Sequence, residues 1–291
     1  MNKKITNFSE YKKINTAFNT QLKMMCKKVR PHNVLIISGD PGIGKTYAAQ
    51  QLFENQTDVN YVIERNSISA VELYKLMWQH PDAVIILDDV NKILKDANDG
   101  ASLLKAATDS YPVRKLCWHK QNHNCIPVSA KYKCQDNNQI VKAMEDYVEN
   151  ASSPKLLNAY MANKTFPDVF YFSGAVIILT NKSLKSFDRV TEGAVSNRGV
   201  HMEISFTIDG MLAFLKEFSK TFKSYNGNTL SKKTIAAVMK FLTSKEAIEY
   251  YHKNGKILSI RNLGDIAAQY QNGVALTIDL LDHNTEFPYY N

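Results

Sequence analysis

Eight consecutive residues, Gly39-Asp40-Pro41-Gly42-Ile43-Gly44-Lys45-Thr46, carry the pattern G-x-x-x-x-G-K-[ST]. Glycines at 39, 42 and 44 let the backbone curl so that successive amide N–H groups face one anion. A helix that starts there adds the positive end of its dipole. Lys45 supplies an ammonium for the β- and γ-phosphates of a triphosphate, and the Thr46 hydroxyl suits a Mg²⁺ ligand. Further on, Asp88 and Asp89 close an apolar run, AVIILDD. Two carboxylates at such a tip are expensive if buried without partners, so they face solvent or meet a cation. A Mg²⁺-nucleotide complex supplies that cation, with Asp88 holding the metal through water and Asp89 polarising the attacking water.

A second group of reactive side chains is Cys117, His119, His123, Cys125 and Cys134. Thiolate and imidazole suit tetrahedral Zn²⁺, and a metal would stabilise a segment with little core of its own. The spacing C-x-H-x₃-H-x-C-x₈-C is not a standard zinc pattern, so incidental residues are the competing reading.

The loop needs a strand before it and a helix after it. Residues 33–38 (NVLIIS) form a short, β-branched apolar run of the kind found in buried parallel strands, and residues 45–53 have helical spacing. Residues 60–64 (NYVIE), 83–87 (AVIIL), 175–180 (AVIILT) and 200–206 (VHMEISF) read as further strands, and 11–29, 69–80 and 101–110 as helices. Beyond them, 210–223, 231–243, 245–252 and 260–270 have helical spacing with no strand between. Alternating strands and helices predict an α/β fold: a parallel sheet of about five strands sandwiched by helices, followed by a small all-helical lid. The expected organisation is an N-terminal helical extension over 1–31, the α/β domain over 32–207 and the lid with a tail over 208–291.

The chain of 291 residues has 36 basic and 28 acidic side chains, a net +8. Arginine occurs only at 30, 65, 114, 189, 198 and 261, so the surplus is mostly lysine, and it favours anionic partners such as nucleic acid. No apolar run approaches the ~20 residues a membrane helix needs, and the first ten residues lack a signal-peptide core. A soluble cytoplasmic protein with reduced cysteines and no membrane partner is expected.

Together these motifs resemble the AAA+ ATPases over about residues 34–270. GDPGIGKT is similar to that family's Walker A and AVIILDD to its Walker B. AVIILTN, ending at Asn181, resembles the sensor 1 strand, whose polar tip positions the lytic water. Ser196-Asn197-Arg198 resembles the stretch carrying the arginine finger that reaches a neighbouring subunit's ATP, with Arg189 as the alternative. Ser259-Ile260-Arg261 resembles sensor 2, which contacts the γ-phosphate from the lid. The resemblance implies ATP and Mg²⁺ as cofactors, ATP hydrolysis, and a homo-oligomeric ring, usually of six subunits. It also implies a nucleic-acid motor or loader acting in DNA replication, recombination or packaging.

Two departures stand out. Most members carry Glu where this chain has Asp89, which sets the carboxylate back by one methylene and predicts slow hydrolysis. Asp89 and Asn181 are also 92 residues apart, so something is inserted before the 175–180 strand. The insertion, about 111–174, has strand composition at 113–118 and 169–172 and helical spacing over 138–159. Its position resembles the pre-sensor 1 hairpin that points into the pore in one branch of the family. Lys115, Lys120, Lys131 and Lys133 beside Trp118 and Tyr132 suit a phosphate backbone and its bases; a solvated surface hairpin is the plainer reading.

The same residues bear on other functions. A protein-remodelling ATPase of the family commonly carries an aromatic-apolar-Gly triplet after the second strand, and ERNSISA at 64–70 has none. A small-molecule kinase is disfavoured by the helical lobe bearing Arg261, and a nucleotide-dependent adaptor with low turnover is compatible with Asp89. FYFSGAVIILTN is also similar to phage-encoded AAA+ proteins, which would place the chain in a bacterial host's cytoplasm.

Overall fold

The structure is a computed structural model. It describes residues 4–27, 31–65, 67–120, 122, 124–182, 193, 198–256 and 258–284. The chain opens with α1 (Phe8–Met25), β1 (Val34–Gly39), α2 (Lys45–Glu54), β2 (Tyr61–Glu64), α3 (Ala70–Gln79) and β3 (Val84–Asp88). Two helices follow, α4 (Asn91–Lys95) and α5 (Asp99–Ala107). The inserted region comprises β4 (Arg114–Cys117), β5 (Cys125–Ile126), α6 (Val128–Lys131), α7 (Asn137–Asn150), α8 (Pro154–Met161), β6 (Phe166–Pro167) and β7 (Val169–Phe172). Next come β8 (Ala175–Thr180), β9 (Val200–Ile204), α9 (Ile208–Phe218), β10 (Ser224–Tyr225) and β11 (Asn228–Thr229). The last helices are α10 (Lys232–Leu242), α11 (Lys245–Asn254), α12 (Ile260–Gln271) and α13 (Ile278–Asn284).

Five strands form a parallel sheet in the order β2-β3-β8-β1-β9. Strand β3 pairs parallel with β2 on one side, Glu64 opposite Leu87, and with β8 on the other, Asp88 opposite Leu179. Its residues Val84 to Leu87 and all of β8 are buried, which is why these runs are continuously apolar rather than alternating. Helix α3 starts where the sequence places a cap: Ser69 accepts from the Glu72 amide, and the Glu72 carboxylate accepts from the Ser69 amide.

Contacts divide the chain into two units, one of residues 1–20, 38–49 and 202–291, the other of 21–37 and 50–201. In the first, α9 to α12 each begin at a hydroxyl cap, Thr207, Ser231, Ser244 and Ser259, and each such cap stabilises its helix by about 1 kcal/mol. Ile5 and Phe18 of the N-terminal segment are buried in the same unit. The expectation of an unbroken helical series fails at β10 and β11. Asn226 and Gly227, both at positive φ, turn a two-residue loop that pairs Ser224 with Thr229 and Tyr225 with Asn228. Asn-Gly is the strongest short hairpin signal, and here it joins strands of only two residues each, too short to leave an alternating pattern.

In the second unit the insertion differs most from expectation. Strands β4 and β7 pair antiparallel, Arg114 opposite Phe172 through Cys117 opposite Val169, but residues 118–168 join them in place of a tight turn. The single helix expected over 138–159 is two, parted by Ser152 at φ 49 and restarted by the Ser153 cap with Pro154 in the first turn. Helix α7 buries Ile140, Ala143, Met144 and Val148, one helical face, in the same core as Val34, Ile85 and Val176. The Phe170 ring lies 4.9 Å from Tyr74 and 5.7 Å from Trp78 of α3. The insertion is thus packed into the sheet domain's core instead of projecting as a ribbon. Among the described residues no helix is long and apolar enough to cross a membrane.

Candidate nucleotide site

The loop lies in the first unit. Gly42 and Gly44 adopt positive φ, 67° and 86°, which glycine alone enters without strain, and Ile43 between them is buried as an anchor. Lys45, also buried, donates from Nζ to the carbonyls of Gly39 at 2.9 Å and Asp40 at 2.8 Å. Thr46 stands in the first turn of α2. Gly39 is required by a close approach, since a Cβ there would lie 2.0 Å from the Ile204 carbonyl oxygen. Asp40 donates its amide to Ile204 O at 3.1 Å, and its Oδ2 accepts from the Phe206 amide at 2.8 Å. Burial pushes the Asp40 carboxyl above its ordinary value, outweighing that hydrogen bond and the nearby charges of Lys4 and Lys45.

The start of α12 rests on this loop. The Ile260 amide donates to Gly42 O at 3.1 Å, and a Cβ on Gly42 would meet Ser259 Cβ at 2.7 Å. Ser259 caps the helix by accepting from the Asn262 amide, which leaves Arg261 exposed in the first turn. The start of α12, with Arg261 in its first turn, thus lies against a loop more than two hundred residues away in sequence. A buried lysine, positive-φ glycines and an adjacent helix N-terminus with an arginine suit a Mg²⁺-bound triphosphate.

The acidic tip lies in the second unit. Asp89 takes φ 54, a left-handed conformation that costs a non-glycine residue about 1 kcal/mol and that persists where surrounding bonds impose it. Here the Asp89 amide donates to Leu179 O at 2.9 Å. The carboxylate accepts from the Asn181 amide at 3.1 Å on Oδ1 and from Asn181 Nδ2 at 2.8 Å on Oδ2. Both residues are exposed, so water reaches them. Asp88, largely covered, has Arg65 Nε 3.8 Å from its Oδ2, and Arg65 also donates to Gln50 at 2.8 Å. Sequence reasoning missed Arg65. The signal was available: Glu64 pairs with Leu87, so the next residues, Arg65 and Asp88, meet at adjacent strand ends.

Arg198 precedes β9 with Nη2 3.9 Å from Asp109 Oδ2, in a cleft lined by His32, Asn33 and Ser110. The alternative finger Arg189, and Ser196 and Asn197, lie outside the described residues. Of the cysteine and histidine cluster, His123 also lies outside them, and among the described residues no three His, Cys, Asp or Glu side chains gather as a metal site. Burial pushes the Cys125 thiol up to about 12 and raises Cys117 as well, which keeps both protonated. In the insertion Lys120 binds Asp99 at 2.5 Å, Lys131 stands 4.0 Å from Asp146 and over the Tyr132 ring, and Trp118 packs on Tyr74. Lys115 and Lys133 are exposed.

Residues 18–93 match the family nSTAND3, described as Novel STAND NTPase 3, a span holding the loop and both aspartates. The chain has a P-loop α/β fold: five parallel strands flanked by helices, with the loop between β1 and α2. An uncharacterised 36.7 kDa protein of Enterobacteria phage T4 is 36% identical to this chain over 113 residues, 36% of this chain and 34% of that protein. The match thus spans about a third of the relative's length. Among solved structures, replication initiator DnaA bound to AMPPCP and single-stranded DNA has 15% identity and a TM-score of 0.39, covering 96% of this chain and 64% of that one. A RuvB variant from Thermotoga maritima has 10% identity and a TM-score of 0.37, covering 96% and 70%. The fold assignment rests on this chain's own loop and strand order, not on these superpositions.

Proposed function

We propose that this chain binds Mg²⁺-ATP and hydrolyses it slowly, working as a homo-oligomer on nucleic acid. The phosphates are assigned to the loop from Gly39 to Thr46 with Arg261 at the γ-phosphate, and Mg²⁺ to Thr46 and Asp88. Mg²⁺, when bound, neutralises phosphate charge. The observation that carries the reading is the two-point grip of Asn181 on the Asp89 carboxylate, which fixes a base at a wet strand tip. A conformation as unfavourable as that of Asp89 is retained where the side chain has to be aimed. Aspartate's shorter reach supports slow turnover, and a nucleotide-controlled adaptor is the second reading that this same feature favours.

Arg198 is assigned to a neighbouring subunit's ATP, for which it must leave Asp109. A ring, usually of six, follows from that assignment. Nucleic acid as client is supported by the +8 charge and by the exposed Lys115 and Lys133.

The test is ATP hydrolysis measured against protein concentration, with and without single-stranded DNA. A specific rate that rises with concentration and again with DNA is expected. A rate flat in both would overturn the oligomer and the client, and Arg198→Ala with unchanged turnover would remove the arginine's role.

A further inference from the structure

The segment leaving β9 is held on one edge by Asp40 of the phosphate loop and on the other by Ile5. On one edge the Asp40 amide donates to Ile204 O at 3.1 Å and the Phe206 amide donates to Asp40 Oδ2 at 2.8 Å. On the other, the Ile5 amide donates to Ser205 O at 2.8 Å and the Thr207 amide to Ile5 O at 2.9 Å, a parallel bridge between Ile5 and Phe206. In extended backbone, neighbouring residues present their polar groups to opposite edges, so a segment this short is fully satisfied only with both partners present. Thr207 then caps α9, and Gly210 of that helix admits Ile5 O, which a Cβ would approach to 2.1 Å. The Phe206 ring meets Tyr11 of α1 at 5.9 Å and Phe214 of α9 at 5.6 Å.

Asp40 therefore joins three things. Its side chain tethers Phe206, its amide tethers Ile204, and its carbonyl is one of two that receive the Lys45 ammonium, at 2.8 Å. A phosphate on the loop competes for that ammonium, so occupancy changes the hydrogen bonding of the very peptide that holds the segment. Burying a carboxylate is unfavourable, and an apolar residue of similar size would fill the space without that penalty. What the carboxylate adds is an acceptor aimed at an otherwise unmatched backbone amide.

We infer that Asp40 is a positioning residue that transmits occupancy of the phosphate loop to residues 205–207, and through Phe206 to α1 and α9. The inference rests on the proposed reading of residues 39–46 as a nucleotide site. It makes the N-terminal segment a reporter of nucleotide state.

The experiment is hydrogen exchange by mass spectrometry on the full chain, with and without AMPPCP and Mg²⁺, alongside titration with a fluorescent ATP analogue. Wild type is expected to change exchange over residues 4–11 and 205–214 when AMPPCP binds. Asp40→Ala, compared with wild type at AMPPCP concentrations that saturate each protein, is expected to exchange the 205–207 region about five- to tenfold faster without nucleotide, as loss of one hydrogen bond implies, and to lose the AMPPCP-dependent change. Asp40→Asn, which keeps an acceptor, is expected to restore both. A full response in Asp40→Ala overturns the inference. So does wild type that binds AMPPCP with no change over 4–11, a result that stands even if Asp40→Ala does not fold. Wild type that fails to bind the analogue overturns the nucleotide reading itself, and the coupling with it.

Discussion

Replacing Asn181 by alanine removes one donor and leaves another in place. The side-chain bond to Asp89 Oδ2, 2.8 Å, is lost, while the backbone amide at 3.1 Å from Oδ1 remains, so the carboxylate keeps its location but gains rotational freedom. Asp89 is exposed, so water replaces the missing donor in the resting protein, and stability should change by no more than about 0.5 kcal/mol. A hydrogen bond to a charged group contributes about 1.5–3 kcal/mol. If that energy serves to aim Asp89 at the attacking water, its loss appears in the chemical step as a roughly 10- to 150-fold fall in rate. Single-turnover hydrolysis with protein in excess, a nucleotide titration and a thermal melt together separate these quantities. The expected result is an unchanged melt, affinity within about twofold of wild type, and the rate loss given by that one bond. A rate close to wild type would refute the reasoning, and so would a rate loss matched by an equal loss of affinity.

Lys45→Ala should abolish nucleotide binding in a fluorescence titration, since it removes the ammonium that two loop carbonyls now position. Gly42→Ala forces a side chain into left-handed backbone at φ 67 and against Ser259 Cβ at 2.7 Å. Left-handed strain of ~1–2 kcal/mol plus the displaced helix start should lower urea stability by about 2–3 kcal/mol; an unchanged midpoint would deny the contact between loop and α12. Asp40→Asn tests the raised carboxyl. A carboxyl whose folded value lies above its unfolded value near 3.8 makes stability fall as pH rises from the unfolded to the folded value, because the folded chain then holds the extra proton. The variant should therefore melt higher than wild type at pH 7 and equal it near pH 3, and a difference that does not vary with pH would contradict the burial.

The sheet was legible because parallel strands buried on both faces leave apolar runs that nothing else in the chain imitates. AVIIL and AVIILT lie within β3 and β8 to within a residue, and the Ser69–Glu72 capping box marks the start of α3. The roles proposed for Lys45 and Asp88 were read from local motifs, and that for Arg261 from a helix start. Arg65 was not found because its meaning depends on which strand lies beside β2, information that register supplies and a linear pattern does not. Asp40 was read only as a residue of the phosphate loop, since its partner Phe206 lies 166 residues away. The insertion was misjudged on different grounds. Its charges and aromatics look like a surface in sequence, yet Phe170 and Phe172 are fully buried and Lys120 and Lys131 face acidic neighbours.

How the insertion meets the sheet follows from Arg114. This arginine is 3% exposed, and it donates to the carbonyls of Ala107 at 3.0 Å, Pro112 at 2.8 Å and Gly174 at 2.6 Å while standing over the Phe172 ring at 5.0 Å. Those acceptors are the end of α5, the entry to the insertion and its exit, so one guanidinium closes the neck of the inserted region. Gly174 is at the same time pressed on β3, where a Cβ would come within 2.1 Å of Ala83 O, and its amide donates to Pro81 O at 3.1 Å. The next residue begins β8, which runs without interruption to Thr180, and Asn181 follows. A buried arginine with several carbonyl partners holds direction as well as position, because its donors leave in a fixed planar fork. The exit of the insertion, fixed by Arg114 at Gly174, is thus followed without a loop by the strand that carries Asn181 to Asp89.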